Sequence, residues 1–189
     1  MRKLLIAMAA LAFSSAAVAG PSWTYVGAGL LVLDSDTDDV EGIDLEGSFG
    51  IGIFHIGAEI AAISDAPVSD TADGDDDLLF YRVSAGIHPA VTDSTDAVLE
   101  IGYAATDADD GDIEPSTLDL RFGVRSMISD QFEVNAFVIT GFTDTDIPGG
   151  DDVTDTRLQI GGQYFFTDRI SFNVRGSEDD VLVGGRFSF

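Results

Sequence analysis

The last nine residues of the chain, Val181, Leu182, Val183, Gly184, Gly185, Arg186, Phe187, Ser188 and Phe189, put an apolar or small residue at every second position and stop on an aromatic. In a β-strand successive side chains point to opposite faces. Val181, Val183, Gly185, Phe187 and Phe189 therefore share one face, with Leu182, Gly184, Arg186 and Ser188 on the other. The same alternation recurs upstream. Ile43, Leu45, Gly47, Phe49, Ile51 and Ile53 oppose Asp44, Glu46, Ser48, Gly50 and Gly52. A chain built from such two-faced segments folds as strands, and each strand needs a greasy surrounding on one side only.

Charge and grease are kept apart along the sequence. Net charge is −25 over 189 residues, yet mean hydropathy is +0.19, whereas strongly acidic chains are usually hydrophilic and disordered. The acidic residues concentrate in segments such as DSDTDDV from Asp34 and DADDGDIEPS from Asp107, and in 64–77 and 143–155. There is no cysteine, hence neither a disulfide nor a thiolate metal site.

The first nineteen residues read as a secretory signal: Arg2 and Lys3, an apolar run from Leu4 to Phe13, and small residues ending at Ala17, Val18 and Ala19. Cleavage there leaves 20–189 as one domain and removes two positive charges, so −25 minus 2 gives −27 for the mature chain. No later segment approaches the ~20 apolar residues of a spanning helix. Any membrane crossing falls to strands.

Taken in order, the alternation predicts ten strands: 23–33, 43–53, 56–62, 79–88, 97–105, 118–125, 132–139, 157–164, 170–176 and 181–189. Apolar parity switches from odd to even between Ile53 and Ile56, which places a two-residue turn at Phe54 and His55. Another turn spans Pro89 to Asp96. The facing of the first strand is ambiguous, and Phe137 and Ile139 blur the seventh. Long acidic connections alternate with short turns, which is the asymmetry of an antiparallel up-and-down transmembrane β-barrel. Eight strands is the alternative count, and a soluble β-sandwich or lipocalin-like barrel with the facing reversed is the alternative fold.

The strand assignment sorts the remaining charges. Asp44, Glu46, Glu59, Glu100, Asp119 and Glu133 face inward, and so do Arg82, Arg121, Arg125, Arg157, Arg175 and Arg186. Six arginines against six carboxylates predict an ion-pair lattice, because unpaired charges in a narrow barrel are expensive. A wet pore lined by the same residues is the competing expectation.

At the C-terminus Gly184, Phe187 and Phe189 match the terminal assembly signal of the small bacterial outer-membrane β-barrel proteins, the OmpA/OmpX-like type, with Leu182 standing where a polar residue is usual. The mature chain resembles that family over essentially its whole length. The resemblance implies an outer-membrane location, contact with lipid and lipopolysaccharide, recognition of the last strand by the barrel assembly machinery, and no appended periplasmic domain.

Catalysis is disfavoured. Barrel hydrolases place a histidine beside a carboxylate or serine, and here His55 and His88 both fall at the turn end. No cofactor is expected. Asp107, Asp109, Asp110, Asp112 and Glu114 only loosely follow calcium-loop spacing, so weak binding of divalent cations is the expectation rather than a defined metal site. A −27 chain repels nucleic-acid phosphates. Two function classes stand: a monomeric structural or surface-interaction barrel, and a narrow channel whose acidic mouth prefers cations.

Overall fold

The computed structural model describes residues 21–33, 40–66, 76–108, 116–144, 153–178 and 180–189. The signal segment and Asp109, Asp110, Asp112 and Glu114 lie outside the described residues. Asp107 is described, exposed near the end of a strand.

The strands are β1 (Tyr25–Leu33), β2 (Val40–Ile51), β3 (Phe54–Ala66), β4 (Asp76–Ile87), β5 (Ala90–Thr92), β6 (Thr95–Ala108), β7 (Ser116–Ser129), β8 (Phe132–Asp144), β9 (Val153–Phe165), β10 (Ile170–Gly176) and β11 (Asp180–Ser188). All pairings are antiparallel. Strand β5 is a three-residue stub folded against β6 in the turn after β4. The other ten form a closed ring, because β4 pairs directly with β6 and β1 pairs with both β2 and β11. Closure runs the full length of β1, from Tyr25↔Ser188 to Leu33↔Asp180. A closed sheet leaves no edge to satisfy.

The facing is that of a barrel immersed in lipid. Ile43, Leu45, Ile56, Ile60, Val83 and Leu99 are among the large apolar side chains left half or more exposed on the outside. The buried side chains include Asp44, Arg82, Glu100, Asp119, Arg125 and Glu133. A soluble barrel would reverse this. Strand β1 resolves its own ambiguity in the same sense: Val26 and Leu30 are exposed, while Tyr25, Gly27, Gly29, Leu31 and Leu33 turn inward or are half-buried. Phe49, Phe54, Phe166, Phe187 and Phe189 ring the short-turn end, and Tyr81, Tyr103 and Phe142 lie toward the other. Such aromatic belts mark the two membrane interfaces of a barrel.

Three boundaries differ from the sequence expectation. The turn between β2 and β3 is Gly52–Ile53, not Phe54–His55, and Ile51 pairs with Phe54. Gly52 has φ +61°, the positive φ that the first central position of a tight hairpin demands and that glycine supplies without strain. Parity alone fixes only that an even turn exists, so a shift of two residues preserves every facing. Second, Asp96 belongs to β6 rather than to a turn and is buried. Third, the strands run further toward the acidic connections than their apolar stripes do, with β3 reaching Ala66 and β6 reaching Ala108. Ladder hydrogen bonding continues past the point where lipid-facing side chains are needed.

Candidate functional site

Among the described residues the outer wall of the barrel is apolar, and the buried polar chemistry lies in the lumen. It is organised in three levels.

At the short-turn end, the segment before β1 folds into the barrel mouth instead of extending the strand. The Trp23 ring stacks on His88 at 4.1 Å between centroids and on His55 at 4.5 Å, and Trp23 Nε1 donates to Asp96 Oδ2 at 2.7 Å. The Arg125 guanidinium sits 4.3 Å above the same ring, a cation–π contact, and Nη2 of Arg125 donates to the Ser22 carbonyl. His55 is the second residue of β3, not a turn residue, and its Nε2–H donates to Glu100 Oε2 at 2.8 Å. His88 lies just beyond β4, with Nδ1 3.7 Å from Asp96 Oδ2. Burial against the indole is the largest influence on its imidazole and holds it below the ordinary histidine range, against the pull of the Phe54 carbonyl and Asp96. The sequence reading had Trp23 as the start of a strand. A lone tryptophan followed by a small-residue strand was the available signal, but nothing local says which way the chain turns.

The middle level holds the charges. Arg82 donates from Nε and Nη2 to the two oxygens of Asp119 at 2.8 and 2.7 Å, and from Nη2 to Glu100 at 2.7 Å. Arg125 and Glu133 form a second fork, both bonds 2.9 Å. Arg175 on β10 donates to Glu46 on β2 at 2.8 Å and to Glu59 on β3 at 2.5 Å, with Asp44 3.8 Å away. Arg186 on β11 bridges Glu46 and Gln163, its guanidinium 3.6 Å above the Tyr25 ring. Parallel N–H···O pairs of this kind are the strong form of the ion pair. Gly102 gives the Arg82–Asp119 fork its room: a Cβ there would collide with Arg82 Nη2 and Asp119 Oδ2.

Several of these contacts cross the lumen. In the ring order, β10 and β3 are separated by β11, β1 and β2, so the Arg175–Glu59 pair spans the barrel nearly wall to wall. The Trp23–Asp96 bond joins the start of β1 to β6 on the far side. A cavity of about 80 Å³ remains among Trp23, Tyr25, Glu46, His55, Arg82 and Arg125, enough for a few waters.

Three of the twelve predicted lattice residues stand apart: Asp44, which comes no closer than 3.8 Å to Arg175, and two arginines. Arg121 Nε is 3.8 Å from Glu100 Oε1, too long for a hydrogen bond, and its guanidinium lies 5.5 Å from the Phe137 ring centre. Arg157 meets no carboxylate within 4.0 Å among the described residues. Both line the third level, a cavity of about 350 Å³ toward the long connections. The described residues hold no group of three or more histidine, aspartate or glutamate side chains placed to share a metal ion.

No family model matches the chain, and no curated protein does. Among solved structures, KdgM porin superposes with a TM-score of 0.46 at 13% identity, over 87% of this chain and 99% of that one. The chain's own strand pairing makes it a closed antiparallel β-barrel. OmpT of Vibrio cholerae gives a TM-score of 0.41 at 10% identity over 86% of this chain, which spans 64% of that protein's length. Outer membrane phospholipase A from Escherichia coli gives 0.42 at 10% identity, over 94% and 95% of the two chains. Architecture alone does not choose an activity.

Proposed function

We propose that this protein is an exported, monomeric outer-membrane barrel that is closed to bulk solute, acts without catalysis, and works through the acidic surface it presents outside the cell. The observation that carries the reading is the set of lumen-crossing bonds, Arg175 to Glu46 and Glu59 and Trp23 to Asp96. A conducting pore needs a continuous aqueous path, and these bonds join opposite walls across it. Ten strands lie little above the eight-stranded size whose interior side chains fill.

The signal segment and the terminal Gly184, Phe187 and Phe189 support export and barrel assembly, and the outward apolar belt supports a lipid surrounding. The connections at 34–39, 67–75, 109–115 and 145–152 carry most of the uncompensated negative charge. Under this reading their charge holds the cell surface apart from other anionic surfaces and attracts a diffuse layer of divalent cations. That placement supports a structural or surface-interaction role beside lipopolysaccharide.

Solute efflux from proteoliposomes tests the closed reading. Vesicles carrying the protein are expected to retain potassium and small sugars as protein-free vesicles do. Rapid cation-selective leakage would instead support the channel reading, and release of every small solute would support an open pore.

A further inference from the structure

The half of the lumen toward the long connections departs from the polar-inside rule of membrane barrels. Leu31, Leu33, Ile63, Leu78, Phe80 and Leu182 all line the 350 Å³ cavity there. Val40 and Ile63 are buried in one cluster with Leu31, Leu33 and Leu78 packed against it, and Leu182 is 2% exposed. Apolar walls of this extent add nothing to a water-filled vestibule and nothing to an ion path. The volume falls at the lower end of the ~300–1,000 Å³ typical of small-molecule pockets.

Four arginines line the same cavity, and two of them, Arg121 and Arg157, make no hydrogen bond to a carboxylate among the described residues. Five of the six inward carboxylates are hydrogen-bonded by four arginines: Glu100 and Asp119 by Arg82, Glu133 by Arg125, Glu46 by Arg175 and Arg186, and Glu59 by Arg175, while Asp44 stands 3.8 Å from Arg175. Arg121 comes no closer than 3.8 Å to Glu100, and Arg157 meets no carboxylate within 4.0 Å among the described residues. The Nε of each is buried with no hydrogen-bond acceptor, a condition native structures rarely leave unanswered. Register places them at one level on either side of Ile139, Arg121 opposite Ile139 on β8 and Ile139 opposite Arg157 on β9. Their backbones are thus about two strand spacings, ~10 Å, apart, a separation that two arginine side chains can close around one small acid group. Four carboxylates also line this cavity: Glu59 and Asp119 are hydrogen-bonded to Arg175 and Arg82, and neither Asp155 nor Asp180 comes within 4.0 Å of an arginine among the described residues. Their charge weighs against ligands with several negative groups.

We propose that this cavity binds a single-chain aliphatic carboxylic acid, its carboxylate held between Arg121 and Arg157 and its alkyl chain laid on the Leu31, Leu33, Ile63 and Leu182 wall. The planar guanidinium fork matches a carboxylate two bonds at a time, and the volume admits one medium-length chain rather than a two-chain lipid. The site goes beyond the closed-barrel reading and does not depend on it, since binding is read at equilibrium whether or not the barrel conducts.

The test is titration calorimetry of the full barrel in phosphatidylcholine nanodiscs, with empty nanodiscs as the blank. Octanoate is expected to bind saturably at one site, while 1-octanol binds about tenfold or more weakly and octylammonium shows no saturable binding. Arg157→Gln should weaken octanoate by about tenfold and leave 1-octanol unchanged. The wild-type comparison of the three probes needs no variant to fold. Octanoate uptake no greater than the blank, equal affinity for octylammonium, or unchanged octanoate affinity in Arg121→Gln/Arg157→Gln would each overturn the site.

Discussion

Removing Arg82 is the sharpest perturbation of the middle level. Arg82→Met keeps the length and volume of the stem but deletes three charge-assisted bonds, two to Asp119 and one to Glu100. Glu100 retains His55, whereas Asp119, 6% exposed, has no other ion-pair partner among the described residues. At ~1.5–3 kcal/mol for each bond to a charged group, the gross loss is ~4.5–9 kcal/mol. Protonation of the orphaned carboxylate recovers part of it, so the net cost falls in the ~3–5 kcal/mol expected when one member of a buried pair is removed. Asp119→Asn should cost less, and Arg82→Met/Asp119→Asn should be more stable than the sum of the single changes by at least ~2 kcal/mol. Urea unfolding in lipid vesicles, followed by Trp23 fluorescence and far-ultraviolet circular dichroism, measures each corner of the cycle. An Arg82→Met barrel within ~0.5 kcal/mol of wild type, or an additive cycle, would refute the lattice as a source of stability.

Other outcomes follow from the same geometry. Arg157→Met removes a charge that has no carboxylate partner among the described residues, so it should change stability by less than ~1 kcal/mol in the same unfolding assay. Gly102→Ala drives a methyl group into the Arg82–Asp119 fork and should cost ~1–3 kcal/mol. His88 faces the Trp23 ring, Asp96, His55 and Arg125. Its folded value lies below the unfolded ~6.5; its contribution is therefore complete above that pH and lost as pH falls through 6.5 toward the folded value. Comparing unfolding at pH 7.5 and pH 5 in wild type and His88→Gln should show a smaller pH dependence in the variant. Deleting Phe189, whose ring meets Phe187 edge-on at 5.1 Å and whose N–H donates to the Thr24 carbonyl, should impair membrane insertion, read as the fraction of chain recovered folded in the outer membrane.

The outside of this barrel was legible because a lipid-facing strand has to write its facing into every second residue. Ile43 through Ile53 and Val181 through Phe189 carry that record, and an even strand count follows from where the acidic segments interrupt it. The identity of the inward charges was legible for the same reason. What alternation does not encode is reach. Nothing near Arg175 names Glu46 and Glu59, which lie more than a hundred positions away and across the lumen, and nothing near Arg157 says that no carboxylate among the described residues reaches it. Inward apolar residues hid for a related reason: Leu31, Leu78 and Phe80 sit beside outward apolar residues, so the local period of two dissolves where both faces are greasy. Phe137 and Ile139 blurred β8 in this way, and both are buried in the lumen, 7% and 3% exposed. Trp23 escaped because a chain entering a barrel mouth obeys no period.

The central claim, that bonds across the lumen close the barrel, is tested most directly by single-channel recording of the purified protein in planar lipid bilayers. The structure predicts electrical silence from wild type, and steps of conductance when Trp23→Ala is combined with Arg175→Ala, which removes both cross-lumen connections. Stable, cation-selective steps from the unmodified protein would contradict it.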